Sequence, residues 1–270
     1  MKKYIFMAVA GMLALSSCSN DNDEIIAQNA PRQMTFTAGF GDGAQTRATL
    51  DGSTMKVKFD DGDAISILSA NNTNTSFTTT GADYDASATF TGTATADSKF
   101  YAVYPYADGR TLSGDVISGV KIPMFQNAAA TSACGWDKSA PIAYATTTGT
   151  SLTFKNACAL LKVTNNRDYA YAIGLMCNEA LSGTFSLNTS DRTLTYSAAT
   201  VSSDDKQATV LDVPNGKTIY IAIAPGTKTN FKAVWSNGIT GYKKTKASVN
   251  FEAGMIYDLG NTSAWTEPDN

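Results

Sequence analysis

The chain has 270 residues, a formal net charge of -3, 17% charged residues and no histidine. A balance this weak and slightly acidic carries no basic footprint for nucleic acid. The lack of histidine removes Ser-His-Asp and Cys-His nucleophile systems and every metal site that needs an imidazole, so neither a metal nor a cofactor is expected. Lys2 and Lys3 open the chain, and an uncharged apolar stretch runs from Tyr4 to Leu15. This is a charged n-region and an h-region of signal-peptide length, too short for the roughly 20 apolar residues of a membrane span.

Leu15-Ser16-Ser17-Cys18 comes next. It resembles the lipobox of bacterial lipoproteins, in which small residues precede an obligatory cysteine. The resemblance implies alkylation of the Cys18 thiol by diacylglycerol, cleavage before Cys18 and acylation of the new amine. One acyl chain binds a membrane marginally and two or more anchor it firmly, so the implied partner is the outer membrane, held through lipid. The alternative is a plain signal peptide with an incidental cysteine at its end. The acidic "SNDNDE" at 19–24 reads as a solvated tether. Ser19 after the cysteine fits outer-membrane sorting, and short acidic runs in this place resemble surface-export signals.

From there on the pattern is β. "MTFTAGF" places Met34, Phe36, Ala38 and Phe40 on one face of an alternating strand. A Gly-rich, polar connection around Arg47 and Ala48 follows, of the composition that proteases nick. "VKFDDGDAISI" predicts a turn at Asp60-Asp61-Gly62-Asp63 between apolar stretches at Phe59 and at Ile65 and Ile67. The threonine-rich "NNTNTSFTTT" and "ATFTGTATADS" are read as exposed edge strands and hairpin loops, because Phe77 and Phe90 interrupt them. Further β-branched or aromatic runs are "KFYAVYPY", "SLTFKNACALLKV", "KTIYIAIAP", "FKAVWSNG" and "ASVNFEAGMIYDL". Only "NAAATSACGWD" offers a short helical turn. Phe154, Leu161 and Ile221 are predicted core residues, and the Thr/Gly stretch from Thr146 to Thr150 is the predicted boundary between two bodies. The expected organisation is a signal peptide over 1–17, a tether and N-terminal strand over 18–47, and β-sandwich domains over 48–149 and 150–270.

In this order the lipobox, "TRATLDG", "VKFDDGDAISI", "YAVYPY", "APIAYA" leading into "LTFKNACALLKV", and "FEAGMIYDL" resemble the fimbrillins, subunits of type V pili in anaerobic Gram-negative bacteria. Family members often carry Trp where Phe59 stands. The resemblance implies an all-β fold of two transthyretin-like β-sandwich domains in tandem behind a lipoprotein signal peptide. It also implies a structural, non-enzymatic subunit of a surface fimbrium that supports adhesion. In such subunits a trypsin-like protease cuts after an arginine comparable to Arg47, so that Ala48 becomes the new N-terminus. The strand of Met34, Phe36, Ala38 and Phe40 is then exchanged for a neighbour's. The implied partners are other fimbrial subunits and surface glycans or proteins of host or bacteria.

Other chemistry is sparse. Cys134, Cys158 and Cys177 are an odd set without CxxC spacing, so no disulfide or zinc site is assigned. Cys158, between two alanines, reads as a small core residue. Asp60, Asp61 and Asp63 are the densest carboxylates, and turn chemistry accounts for them; a calcium loop would need a distal glutamate that is missing. Trp235 is expected in the core. Trp136 and Trp265, flanked by polar residues, are candidate glycan contacts and support the alternative of a monomeric glycan-binding lipoprotein. Lys243, Lys244 and Lys246 read as guards of a strand edge.

Overall fold

The computed structural model describes residues 30–41, 59–82, 86–128, 135–265 and 267–268. Cys18, Arg47, Ala48 and Cys134 lie outside these residues, as does most of the segment expected to hold a helical turn. The described chain is all-β, with a single short 3-10 turn at Thr262–Ala264. In chain order the strands of the first half are β1 (Arg32–Phe40), β2 (Ala64–Ser69), β3 (Asn72–Thr79), β4 (Ser87–Ala94), β5 (Phe100–Tyr104), β6 (Thr111–Ser113), β7 (Val116–Ile122), β8 (Ala143–Thr147) and β9 (Ser151–Asn156). Those of the second half are β10 (Ala159–Thr164), β11 (Ala170–Met176), β12 (Gly183–Asn188), β13 (Thr193–Tyr196), β14 (Gln207–Val213), β15 (Thr218–Ile223), β16 (Gly226–Ser236), β17 (Gly241–Phe251), β18 (Ile256–Asn261) and β19 (Glu267–Pro268).

Seven strands form one sheet in the order β1-β4-β3-β2-β5-β8-β9, and β1 then pairs with β9 to close it into a barrel. Period-two alternation sends Phe36, Ile65, Ile67, Phe77, Phe90, Phe100 and Phe154 inward, so the lumen is a packed, mostly aromatic core. The expectation of a sandwich in this half is thus refined to a sheet closed on itself. The threonine-rich tracts are also corrected. They are β3 and β4, interior strands of the barrel, in which Thr73, Thr78, Thr89 and Thr93 are exposed while Phe77, Thr79 and Phe90 are buried.

The second half is a sandwich. A sheet β15-β10-β18 faces a sheet β14-β11-β16-β17-β19 across a core that includes Leu161, Val163, Ile173, Leu175, Ile221 and Trp235. Phe154, Leu161 and Ile221 are buried as predicted. A four-stranded sheet β13-β12-β7-β6 joins the halves, because β7 precedes and β12 follows the predicted boundary. The boundary itself falls at the tip of the β8–β9 hairpin, and both of these strands belong to the barrel, so the barrel extends to Asn156. A one-dimensional composition shift marks a turn here, and pairing partners decide which body the strands join.

The chain between β7 and β8 then works as a strap. The Thr209 amide of β14 donates to Met124 O (2.7 Å), and the Gln126 amide returns to Thr209 O (2.9 Å). The buried Gln126 side chain imitates a strand against β15, accepting from Ala222 N (2.8 Å) and donating to Ala222 O (2.7 Å). Farther on, the Tyr220 amide donates to Gly135 O (2.7 Å). Only glycine fits at 135, since a Cβ would lie 1.8 Å from Thr218 O, and its φ is +64°. Edge strands β14 and β15 are covered by these contacts, which removes the unpaired backbone that invites aggregation.

Candidate functional site: the strand that closes the barrel

The strand β1 carries the four residues that the sequence places on one face. It lies between two partners of opposite sense. Against β4 it runs antiparallel from Arg32↔Ala94 to Gly39↔Ser87, and against β9 it runs parallel from Thr37↔Ser151 to Phe40↔Phe154. The Thr37 amide donates to Thr150 O at 2.9 Å and the Gly41 amide to Phe154 O at 3.3 Å. Phe36 and Ala38 are fully buried, and Met34 and Phe40 are half-buried against the same core.

The aromatic contacts are dense. Phe36 meets Phe77 and Phe100 edge-on at 5.4 and 5.2 Å between ring centres. Phe40 stacks on Phe59 at 5.4 Å and tilts against Phe154 at 5.6 Å. Phe59, where relatives of the resembled family often carry Trp, also touches Phe90 and Tyr104, so a phenyl ring fills this place at the centre of the core. Gly92 of β4 pairs with Met34, and a Cβ there would strike the Phe77 ring at 2.7 Å; the missing side chain lets that ring pack under β1. Each large ring buried on β1 contributes roughly 1.5 to 3 kcal/mol. Without β1, the inner edges of β4 and β9 and the pockets for Phe36 and Phe40 would lose their partners together.

The turn at 60–63 caps one end of β2. Asp63 Oδ2 accepts from Asp60 N (2.9 Å), Asp63 N donates to Asp60 O (3.1 Å), and Asp61 Oδ1 accepts from Gly81 N (2.6 Å). Asp60 is also paired with Lys138. The three carboxylates are therefore used structurally, as turn chemistry requires. Burial raises the Asp63 carboxyl to about 6, a shift opposed by its hydrogen bond with the Tyr104 hydroxyl. Tyr104 is itself pushed well above its ordinary value by burial and by Asp63.

Trp136 and Trp265 are corrected. They are 2% and 1% exposed. Trp136 packs with Ala140, Leu160, Tyr220 and Ala222, and Trp265 packs in the sandwich core, so neither presents a ring face to a sugar. Their polar sequence neighbours misled because the covering residues come from distant strands. Trp235 is buried as expected and donates to Asn165 Oδ1 (3.1 Å). Cys158 is a buried core thiol raised to about 12 by burial, and Cys177 is likewise raised to about 11. Lys243, Lys244 and Lys246 lie on β17, which pairs along its length with β16 but with β19 only at Tyr242 and Lys243 among the described residues. The remaining edge is the place where lysines discourage unwanted pairing. Among the described residues, no group of His, Cys, Asp or Glu is arranged to hold a metal, and no helix is long and apolar enough to cross a membrane. Sequence reasoning missed β9 as the second partner of β1, since a parallel contact between residues so far apart leaves no local signal.

No protein-family model matches the chain, and no curated protein matches it. Solved structures do. A candidate cell adhesion protein from Bacteroides uniformis superposes with a TM-score of 0.52 at 16% identity, covering 88% of this chain and 96% of that one. A second candidate cell adhesion protein, from Bacteroides thetaiotaomicron, gives a TM-score of 0.45 at 13% identity over 87% and 96% of the two chains. A fimbrial protein from Bacteroides vulgatus gives 0.35 at 12% identity over 87% and 98%. At such identities the first likeness shows a shared fold, and the two looser ones carry no weight.

Proposed function

We propose that the chain is a structural subunit of a surface fimbrium, exported as an outer-membrane lipoprotein and assembled by strand exchange. The observation that carries this reading is the position of β1. It is the N-terminal described strand, it fills the gap between β4 and β9, and its alternate side chains occupy pockets in an aromatic core. A strand held on both edges by backbone hydrogen bonds, with pockets for alternate residues, is the geometry of β-augmentation. A neighbour's strand of matching alternation satisfies the same groups. In this reading Cys18 carries the lipid, cutting between Arg47 and Ala48 frees β1 from the body, and adhesion follows from display on a polymer. The shared fold with a candidate cell adhesion protein agrees with it. No catalytic role is assigned.

The test uses the folded precursor and limiting trypsin. Cleavage before Ala48, with residues 18–47 retained until a donor-strand peptide displaces them, supports strand exchange. So does a ladder of unboiled polymers on SDS gels of outer-membrane material. An Arg47 that resists the protease, or a cut product that loses the fragment and stays a stable monomer, overturns it. Cys18→Ala is expected to abolish palmitate labelling and membrane retention; labelled palmitate on that variant removes the lipoprotein assignment.

A further inference from the structure

A cleft of about 610 Å³ opens where the barrel, the bridging sheet and the sandwich meet. The barrel contributes Tyr144 of β8 and Lys155 of β9, and the bridging sheet contributes Arg192 from the β12–β13 turn. Glu252 and Ala253 come from the β17–β18 turn of the sandwich. Ligand pockets concentrate at such junctions, and this volume is ordinary for one.

The polar groups of the cleft are not paired with each other. Arg192 is half-buried, and its Nη1 donates to Ala253 O at 3.4 Å, a long bond. Its Nε and Nη2 have no partner among the described residues and are not sealed from solvent. Lys155 and Glu252 are exposed, and neither charged group has an ion pair or hydrogen bond among the described residues. Tyr144 is only 5% exposed, yet its hydroxyl also lacks a partner among these residues without being sealed. A polar atom on so buried a side chain is normally bonded. Asp191, the other carboxylate of the cleft, is already engaged, accepting from Thr193 N (2.9 Å) and Asn188 Nδ2 (3.3 Å). Three unused donors and one unused acceptor therefore line the same solvent-accessible space.

The donors suit an anion, since a guanidinium binds a carboxylate through two parallel bonds and a lysine adds charge. Glu252 would repel a bare anion, so the ligand must also bring donors of its own. An amino acid does so but would leave most of the cleft empty. An acidic sugar carries a carboxylate and several hydroxyls on one larger ring. We infer that this cleft binds an acidic sugar residue, its carboxylate held by Arg192, Lys155 and the Tyr144 hydroxyl and its ring hydroxyls donating to Glu252. The inference gives the adhesive role a ligand, yet it does not rest on assembly: ladder formation and sugar binding are read in separate assays, and either can fail alone.

Calorimetric titration of the full chain with glucuronate, glucose and glycine tests it. Glucuronate is expected to saturate one site, while glucose lacks the carboxylate and glycine lacks the hydroxyls, so each binds at least about tenfold more weakly. Arg192→Gln should weaken glucuronate by at least about tenfold. Tyr144→Phe, which removes only the hydroxyl and keeps the buried ring, should weaken it by about fivefold at an unchanged melting temperature. Lys155→Gln should weaken it in dilute salt and much less in concentrated salt. No saturable glucuronate binding, glucose or glycine binding as tightly as glucuronate, or an unchanged glucuronate affinity in the folded Arg192→Gln or Tyr144→Phe protein overturns the proposal.

Discussion

Among the described residues, β1 and β18 each run parallel to a partner, and they are held in opposite ways. β1 lies beside β9 and is also bonded along its other edge to β4, with Phe36 and Ala38 fully buried. Among the described residues β18 lies beside β10 alone, and none of its residues is fully buried. One strand completes a core; the other covers the rim of a core already complete. The difference teaches where strand exchange is physically worthwhile. Only a strand with two bonded edges and buried rings leaves a vacancy deep enough for a replacement to bind tightly.

The comparison breaks most easily at Phe36. Truncating a buried aromatic typically costs about 3 to 5 kcal/mol, so Phe36→Ala should lower unfolding free energy by that amount in urea titration. The matching change on β18 is Tyr257→Ala. Tyr257 is half-buried, packs edge-on against Phe251 at 4.9 Å, and its hydroxyl accepts from Glu252 N at 2.8 Å. Its loss should cost about 1 to 2 kcal/mol. Equal losses at the two positions would show that β18 is as integral as β1.

A pH series sharpens the barrel side. The folded Asp63 carboxyl sits at about 6 against an ordinary 3.8. Below 3.8 it is protonated in both states; as pH rises to about 6 the unfolded chain ionises first and stability falls. Asp63→Asn should therefore match the parent near pH 3.5 and exceed it at pH 7, by on the order of 1 kcal/mol once solvent screening is allowed for. A variant no more stable at pH 7 than the parent would mean the burial cost is already relieved. The smallest effect belongs to the Lys162–Asp258 pair between β10 and β18, 2.9 Å apart and largely solvated. Asp258→Ala should cost less than about 0.5 kcal/mol through the ion pair, an effect that fades at high salt; a larger, salt-insensitive loss would point instead to the bond that Asp258 Oδ1 accepts from the Gly260 amide (2.8 Å).

What the sequence determined by itself is the local geometry. Alternation at Met34, Phe36, Ala38 and Phe40 fixed which face of β1 is apolar, and similar alternation placed Phe154, Leu161 and Ile221 in the cores. Asp-Asp-Gly-Asp fixed a turn, because the Asp63 carboxylate accepts from the Asp60 amide and Gly62 takes a positive φ of 80°. Tertiary structure alone decided the closure of the barrel by a parallel β1–β9 contact, the shared sheet of β7 and β12, and the strap that lays Gln126 along β15. It also decided burial wherever a residue's own neighbours are uninformative: Trp136 and Trp265 stand among polar residues, and Arg110 follows a glycine in a surface-like turn, yet all three are enclosed. The reason is physical. Strand and turn preferences are set by residues within a few positions of each other, whereas burial and sheet closure depend on which distant backbone edges find each other, and that choice is made by the sum of many weak contacts spread along the whole chain.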